Sequence, residues 1–189
     1  MHWLDPDYLP VTRGTLDRFL LNPHGDIDGL LLTDGTEIHT PPHLSRALAR
    51  ALKPRSRLEV RGVAVRGADV IVAVAIDPAK GKRIVDEGPK PGEEKPKPHD
   101  DGSRWSYEGE IARLLHGPKG NAHGVLLDDG VIVRFPPHAA TELGRMLAPG
   151  KSIAVEGRWT DTAHGAVIHA EAIGTSADSL KPMPKKPKH

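Results

Sequence analysis

No cysteine occurs in the chain, which removes disulfide bonds, thiolate nucleophiles and cysteine-ligated metal sites in one step. Aromatic side chains are nearly as scarce, with three Trp, two Tyr and two Phe, so few surfaces exist on which a nucleobase could stack. No apolar run approaches the roughly 20 residues of a membrane-spanning helix. The opening MHWLDPDYLPVTRG lacks the charged-then-apolar pattern of a secretion signal. A cytoplasmic protein without a membrane partner is the expectation. An excess of one charge is also missing: 26 Lys and Arg stand against 25 Asp and Glu, a net charge of +1, with a pI of 8.1. Strongly basic nucleic-acid binders have a pI above about 9, so any polyanion partner would have to be held by local arrangement.

What the chain has is one stretch used twice. Gly29 to Leu48 reads GLLLTDGTEIHTPPHLSRAL and Gly124 to Leu143 reads GVLLDDGVIVRFPPHAATEL. From Gly14 and Gly109 to Gly62 and Gly157 the copies align without a gap, and about 19 of 49 positions are identical, the mark of a duplicated domain. The shared residues are glycines, Asp-Gly, Pro-Pro-His and spaced leucines, which shape a backbone and fill a core.

Each copy reads as strand, strand, strand, helix, strand, strand. Leu30–Leu32 and Val125–Leu127 are short buried-strand runs. Asp34-Gly35 and Asp129-Gly130 follow as hairpin turns with positive φ expected at both positions. The third strand alternates, with His39 in copy one and Arg134 in copy two expected on its outward face. Pro41-Pro42 and Pro136-Pro137 end that strand and open a helix marked by Leu44, Leu48 and Leu52, or Leu143 and Leu147. Gly62 reads as a bulge in the fourth strand.

This order is that of the OB-fold, a five-stranded barrel with its helix between strands three and four. Through the G-x-L/V-L-L-x-D-G…PPH pattern the chain resembles bacterial proteins carrying tandem OB-fold, nucleic-acid-binding-like domains. The expected fold is all-β with one short helix per domain, arranged as two tandem OB-fold five-stranded barrels. Residues 1–13 read as a leader, with Trp3 and Tyr8 packing as a flap; 14–77 and 105–174 are the barrels. The run 78–104, rich in Pro, Lys, Gly and Glu, reads as a flexible linker, and 175–189, with its KPMPKKPKH, as a disordered basic tail.

No catalytic residue, cofactor or metal emerges. His39 and His43 imitate a His-x-x-x-His pair, but two prolines between them prevent the helix that would align their rings, and copy two has Arg134 in place of His39. His43 and His138 are therefore expected at helix starts as neutral rings accepting a backbone N–H. Ser45 and Ser56 face Ala140 and Lys151 in the other copy and lack a G-x-S-x-G context. The function expected is non-enzymatic binding of single-stranded nucleic acid, at two sites coupled by the linker. Its residues are Arg18 and Arg113 of the first strands, His39 and Arg134 of the third, Lys119 of a loop, Arg61 and Arg66 around a fourth strand, and Arg158 with Trp159. Trp105 and Tyr107 are further stacking candidates. Arg134 is expected to carry much of the phosphate attraction at neutral pH. The alternative is an adaptor whose barrels bind a protein or small ligand. It gains if acidic residues such as Glu37 and Asp28 interrupt the positive groove across strands two and three.

Overall fold

The structure, a computed structural model, describes residues 4–92 and 103–188; the expected linker therefore lies in part, over 93–102, outside the described residues, as does Trp3 of the expected flap. Two compact units are present. The first contains β1 (Val11–Leu21), β2 (Ile27–Leu32), β3 (Glu37–His39), α1 (Ser45–Ala51), β4 (Arg57–Ala64), β5 (Val70–Pro78) and β6 (Ile84–Val85). The second repeats it with β7 (Arg104–His116), β8 (Ala122–Leu127), β9 (Ile132–Arg134), α2 (Pro137–Leu143), β10 (Ser152–Thr162), β11 (Gly165–Gly174) and β12 (Lys181–Pro182). In each, the first strand is antiparallel to the second and fourth, and the third closes the barrel by pairing parallel with the fifth. Both units are thus five-stranded OB barrels with one short helix apiece.

The cores follow from the duplicated apolar pattern. Leu16, Leu30, Leu32, Ile38, Leu48 and Val60 are at most 1 % exposed in the first barrel; Ile111, Val125, Val133, Ile153 and Ile168 match them in the second. The hairpin turns depart from expectation in one respect. Only the glycines, Gly35 at φ 91° and Gly130 at 93°, have positive φ. Thr33 and Asp128 join the loop, so Leu32 pairs with Thr36 and Leu127 with Val131 around three residues. A three-residue hairpin needs only its last residue left-handed. The Asp side chains accept from the backbone N–H two residues on, Asp34 from Thr36 at 2.9 Å and Asp129 from Val131 at 3.1 Å.

Gly62 lies at a register shift between β4 and β5, and Gly157 at the same shift between β10 and β11. A Cβ at Gly62 would overlap the carbonyl oxygen of Val72, and one at Gly157 that of His169. The extra residue of each bulge sits on the fifth strand: Val74 in barrel one, Glu171 in barrel two. Freed from the ladder, each of these residues uses its carbonyl to hold a sixth strand. Asp86 N–H donates to Val74 O at 2.9 Å and Met183 N–H to Glu171 O at 2.8 Å.

Those sixth strands correct the expected linker and tail. Ile84–Val85 pairs with β5 and Lys181–Pro182 with β11. Composition argued for solvated chain, yet a two-residue strand needs little apolar surface of its own when a bulge and a repeated histidine hold it. His43, in a 3-10 turn before α1 (Pro42–Leu44), meets Asp86 Oδ1 through Nε2 at 2.9 Å. His138, second residue of α2, meets Pro184 O at 2.9 Å. A carboxylate and a carbonyl only accept, so both rings donate from Nε2. Strand limits shift as well: β1 starts at Val11 inside the expected leader and β7 at Arg104 inside the expected linker. Tyr8, expected to pack as a flap, is 88 % exposed.

Candidate nucleic-acid interface

Within each barrel the residues expected from sequence differ in exposure and partners. Arg134 is 3 % exposed, with Nη1 2.8 Å from His123 Nδ1. Gly124 makes room for it: a Cβ there would stand 3.1 Å from Arg134 Cδ. A guanidinium so enclosed cannot meet a phosphate, which corrects its expected role. His39 is half-buried in β3, whose first residue, Glu37, is 2 % exposed. Arg18 and Arg113 are half-buried in β1 and β7; Arg18 Nε is 3.9 Å from Asp17 Oδ2 and Arg113 Nε donates to Leu114 O at 3.3 Å. The outward position of strand three is therefore enclosed in barrel two, at Arg134, and half-buried in barrel one, at His39.

Arg61 is also engaged. Its Nε donates to Asp77 Oδ2 at 3.1 Å, and Asp77 also accepts from Arg83 Nε at 2.6 Å, whose Nη1 reaches Asp7 Oδ1 at 2.8 Å. The hydrogen bond from Arg83 holds the Asp77 carboxyl below the usual carboxylate range, against a smaller opposing push from burial, with Arg61 adding to the lowering. The carboxyl in turn pushes the Arg83 guanidinium further up. Arg61 and Arg83 thus tie β4, β5 and the chain after β5 together. Arg66 and Lys119 are exposed, the first in the turn between β4 and β5, the second between β7 and β8.

What the structure does bring together lies where β7 begins and β10 runs beyond its bulge. Trp105 is opposite Gly157, and Trp159 N–H donates to Ser103 O at 3.0 Å. The two indoles stack, with centroids 5.2 Å apart and planes 27° apart. Tyr107 packs against Trp159 with ring centroids 5.4 Å apart and planes 44° apart. Tyr107 and Trp159 rest on the barrel core, whereas Trp105 is 50 % exposed. The Tyr107 hydroxyl donates to Asp129 Oδ2 in the β8–β9 turn. That bond, then burial, then the charge of Asp129 push the phenol above its ordinary value of 10.0.

Two arginines flank this stack. Arg104 and Arg158 are cross-strand partners, 61 % and 58 % exposed at their side chains. Like charges directly opposite repel, and Glu171 offsets this. Its side chain accepts from Arg104 Nη2 and stands 3.6 Å from Arg158 Nε. Glu171 is the bulge residue of β11, and a bulge re-aims a side chain that regular pairing would place elsewhere. Arg158 and Trp159 were legible in the sequence. Arg104 was hidden by a linker boundary drawn one residue late, although its place directly before Trp105 was a usable signal; Glu171 had none. Barrel one has Leu9, Pro10, Thr12, Val63 and Ala64 where barrel two has Arg104, Trp105, Tyr107, Arg158 and Trp159. Among the described residues no group of three His, Asp or Glu side chains is placed to hold a metal, and no helix is long and apolar enough to cross a membrane.

No protein-family model matches the chain, and no curated protein matches it. Among solved structures it is similar to the wild-type single-stranded DNA binding protein from Thermus aquaticus, at 16 % identity over 95 % of this chain and 94 % of that one, with a TM-score of 0.25. A deletion mutant of that protein, delta 228-252 R190A, gives 16 % identity over 94 % and 95 %, with a TM-score of 0.26.

Proposed function

We propose that the protein binds single-stranded nucleic acid through barrel two, without catalysing a reaction. The observation that carries this reading is the half-exposed Trp105, stacked on Trp159 and flanked by the exposed Arg104 and Arg158. An indole already backed by a second ring loses little freedom when a base covers its open face. Such stacking contributes roughly 1–3 kcal/mol per base and tolerates any base, since each has a π-face. The arginines supply hydrogen-bond donors for phosphate, but Glu171 removes part of their charge. Affinity should be modest and salt-dependent.

Titrating the chain with a short oligothymidylate while following tryptophan emission tests this. Quenching is expected, and Trp105→Ala should weaken binding by roughly 1–3 kcal/mol. An unchanged emission at concentrations that saturate binding would sink the stacking site.

A second reading applies to barrel one. There Arg61 is tied to Asp77, and Pro10 and Ala64 stand where barrel two has Trp105 and Trp159. Val11 and Val63, exposed by 41 % and 47 %, lie on β1 and β4 at the end that carries the indoles in barrel two. Those features suit a protein-binding module better than a polyanion site. If the chain is an adaptor throughout, the full chain will show no binding of oligothymidylate.

A further inference from the structure

We propose that the segment from Lys185 to Lys188 is a basic arm that contacts the phosphate backbone of the strand stacked on Trp105. The inference rests on the proposed function and names a second contact for the same ligand. Three lysines, Lys185, Lys186 and Lys188, stand within four residues, and all are exposed. In a chain whose net charge is only +1, this is a local concentration of cation. Pro184 and Pro187 restrict the stretch to extended conformations, which keeps the ammonium groups apart and limits the freedom lost on binding.

The root of the arm is what ties it to the site. β12 pairs Lys181 with Ile173 and Pro182 with Ala172. Met183 packs on the barrel core, and its N–H donates to Glu171 O at 2.8 Å. Glu171 is the residue whose side chain holds Arg104 and Arg158. The next residue, Pro184, accepts from His138 Nε2 at 2.9 Å. One bulge residue therefore positions the arginine pair with its carboxylate and the base of the arm with its carbonyl. Barrel one has the same anchor, from Val74 O and His43, but its strap continues as Glu87, Gly88, Pro89 and Lys90. The anchor is common to both copies, whereas the lysine run belongs to the copy that carries the aromatic stack.

The test compares the full chain, a chain ending at Pro184 and a Lys185→Glu/Lys186→Glu/Lys188→Glu variant. Each is titrated with fluorescently labelled oligothymidylate across a salt series. Ending at Pro184 keeps the β12 pairing and the His138 bond. A single strand contributes a slope of about 0.7 in log K against log salt per phosphate neutralised, so losing three lysine contacts should flatten the slope by about 2. Affinity at low salt should fall at least several-fold, with tryptophan quenching at saturation retained. His138→Ala should speed amide exchange at Met183 and weaken binding, and His138→Gln, which keeps a donor, should restore both. Slopes that coincide for the three chains, with the full chain binding, would overturn the arm alone. A full chain that binds without quenching tryptophan and loses binding on truncation would support the arm and overturn the stacking site. No binding by the full chain would overturn both.

Discussion

Tyr107 shows how a single residue separates the two copies. Its counterpart is Thr12, and only Tyr107 spans from β7 to the β8–β9 turn. Asp129 consequently serves twice: Oδ1 closes its own turn, and Oδ2 fixes the phenol beneath Trp159. The protonated phenol is the form that donates, and its pKa is raised above 10.0. The stabilisation is therefore complete below the ordinary tyrosine value and is lost as pH rises through the higher folded value. Absorbance titration should find one tyrosine ionising late, and Asp129→Asn should bring it earlier while keeping the turn. At Thr160 the prediction runs toward greater stability. This hydroxyl is 1 % exposed, and its oxygen has no hydrogen-bond partner among the described residues. Thr160→Val removes the burial cost of that group and should stabilise barrel two by about 1 kcal/mol in urea unfolding.

Among the elements, the ion-pair network from β4 across β5 to the strap ties stability to pH. Asp77 joins Arg61 and Arg83, with the Arg83 hydrogen bond the largest cause of its lowered pKa. A carboxylate depressed in the folded state contributes stability above the unfolded value, about 3.9 for Asp. That contribution fades as pH falls through the depressed value. Wild type should thus lose stability on acidification more steeply than Asp77→Asn, and the two curves should converge at low pH. Parallel curves would show that the network adds nothing. The network was not legible in sequence. Asp77 and Arg83 straddle a stretch whose composition reads as solvated spacer, and only the turn after β5 brings them within 2.6 Å.

For the whole molecule, duplication of fold did not duplicate the site. The residues that close the barrels recur in both copies, while those that stack and carry charge at the β7–β10 end do not. The proposed binding through barrel two calls for one site per chain, where the sequence reading expected two coupled by a linker. Titration with an oligothymidylate of about six nucleotides, a length within the site size of one OB-fold, should saturate at one strand per chain. Two equivalent strands per chain would mean that barrel one binds as well, through residues other than aromatic ones.

The strand order, the helix and both barrel cores were determined by the sequence, because alternation, proline stops and Asp-Gly turns act within a few residues. The duplication made each reading twice. Only the tertiary structure decided which cations face solvent. Arg134 and Arg158 look alike in the chain, yet one is enclosed beside His123 over a glycine, and the other stands 58 % exposed. That difference depends on what packs from distant strands. The same holds for Glu171: a one-residue bulge turns its side chain toward Arg104, 67 positions away in sequence.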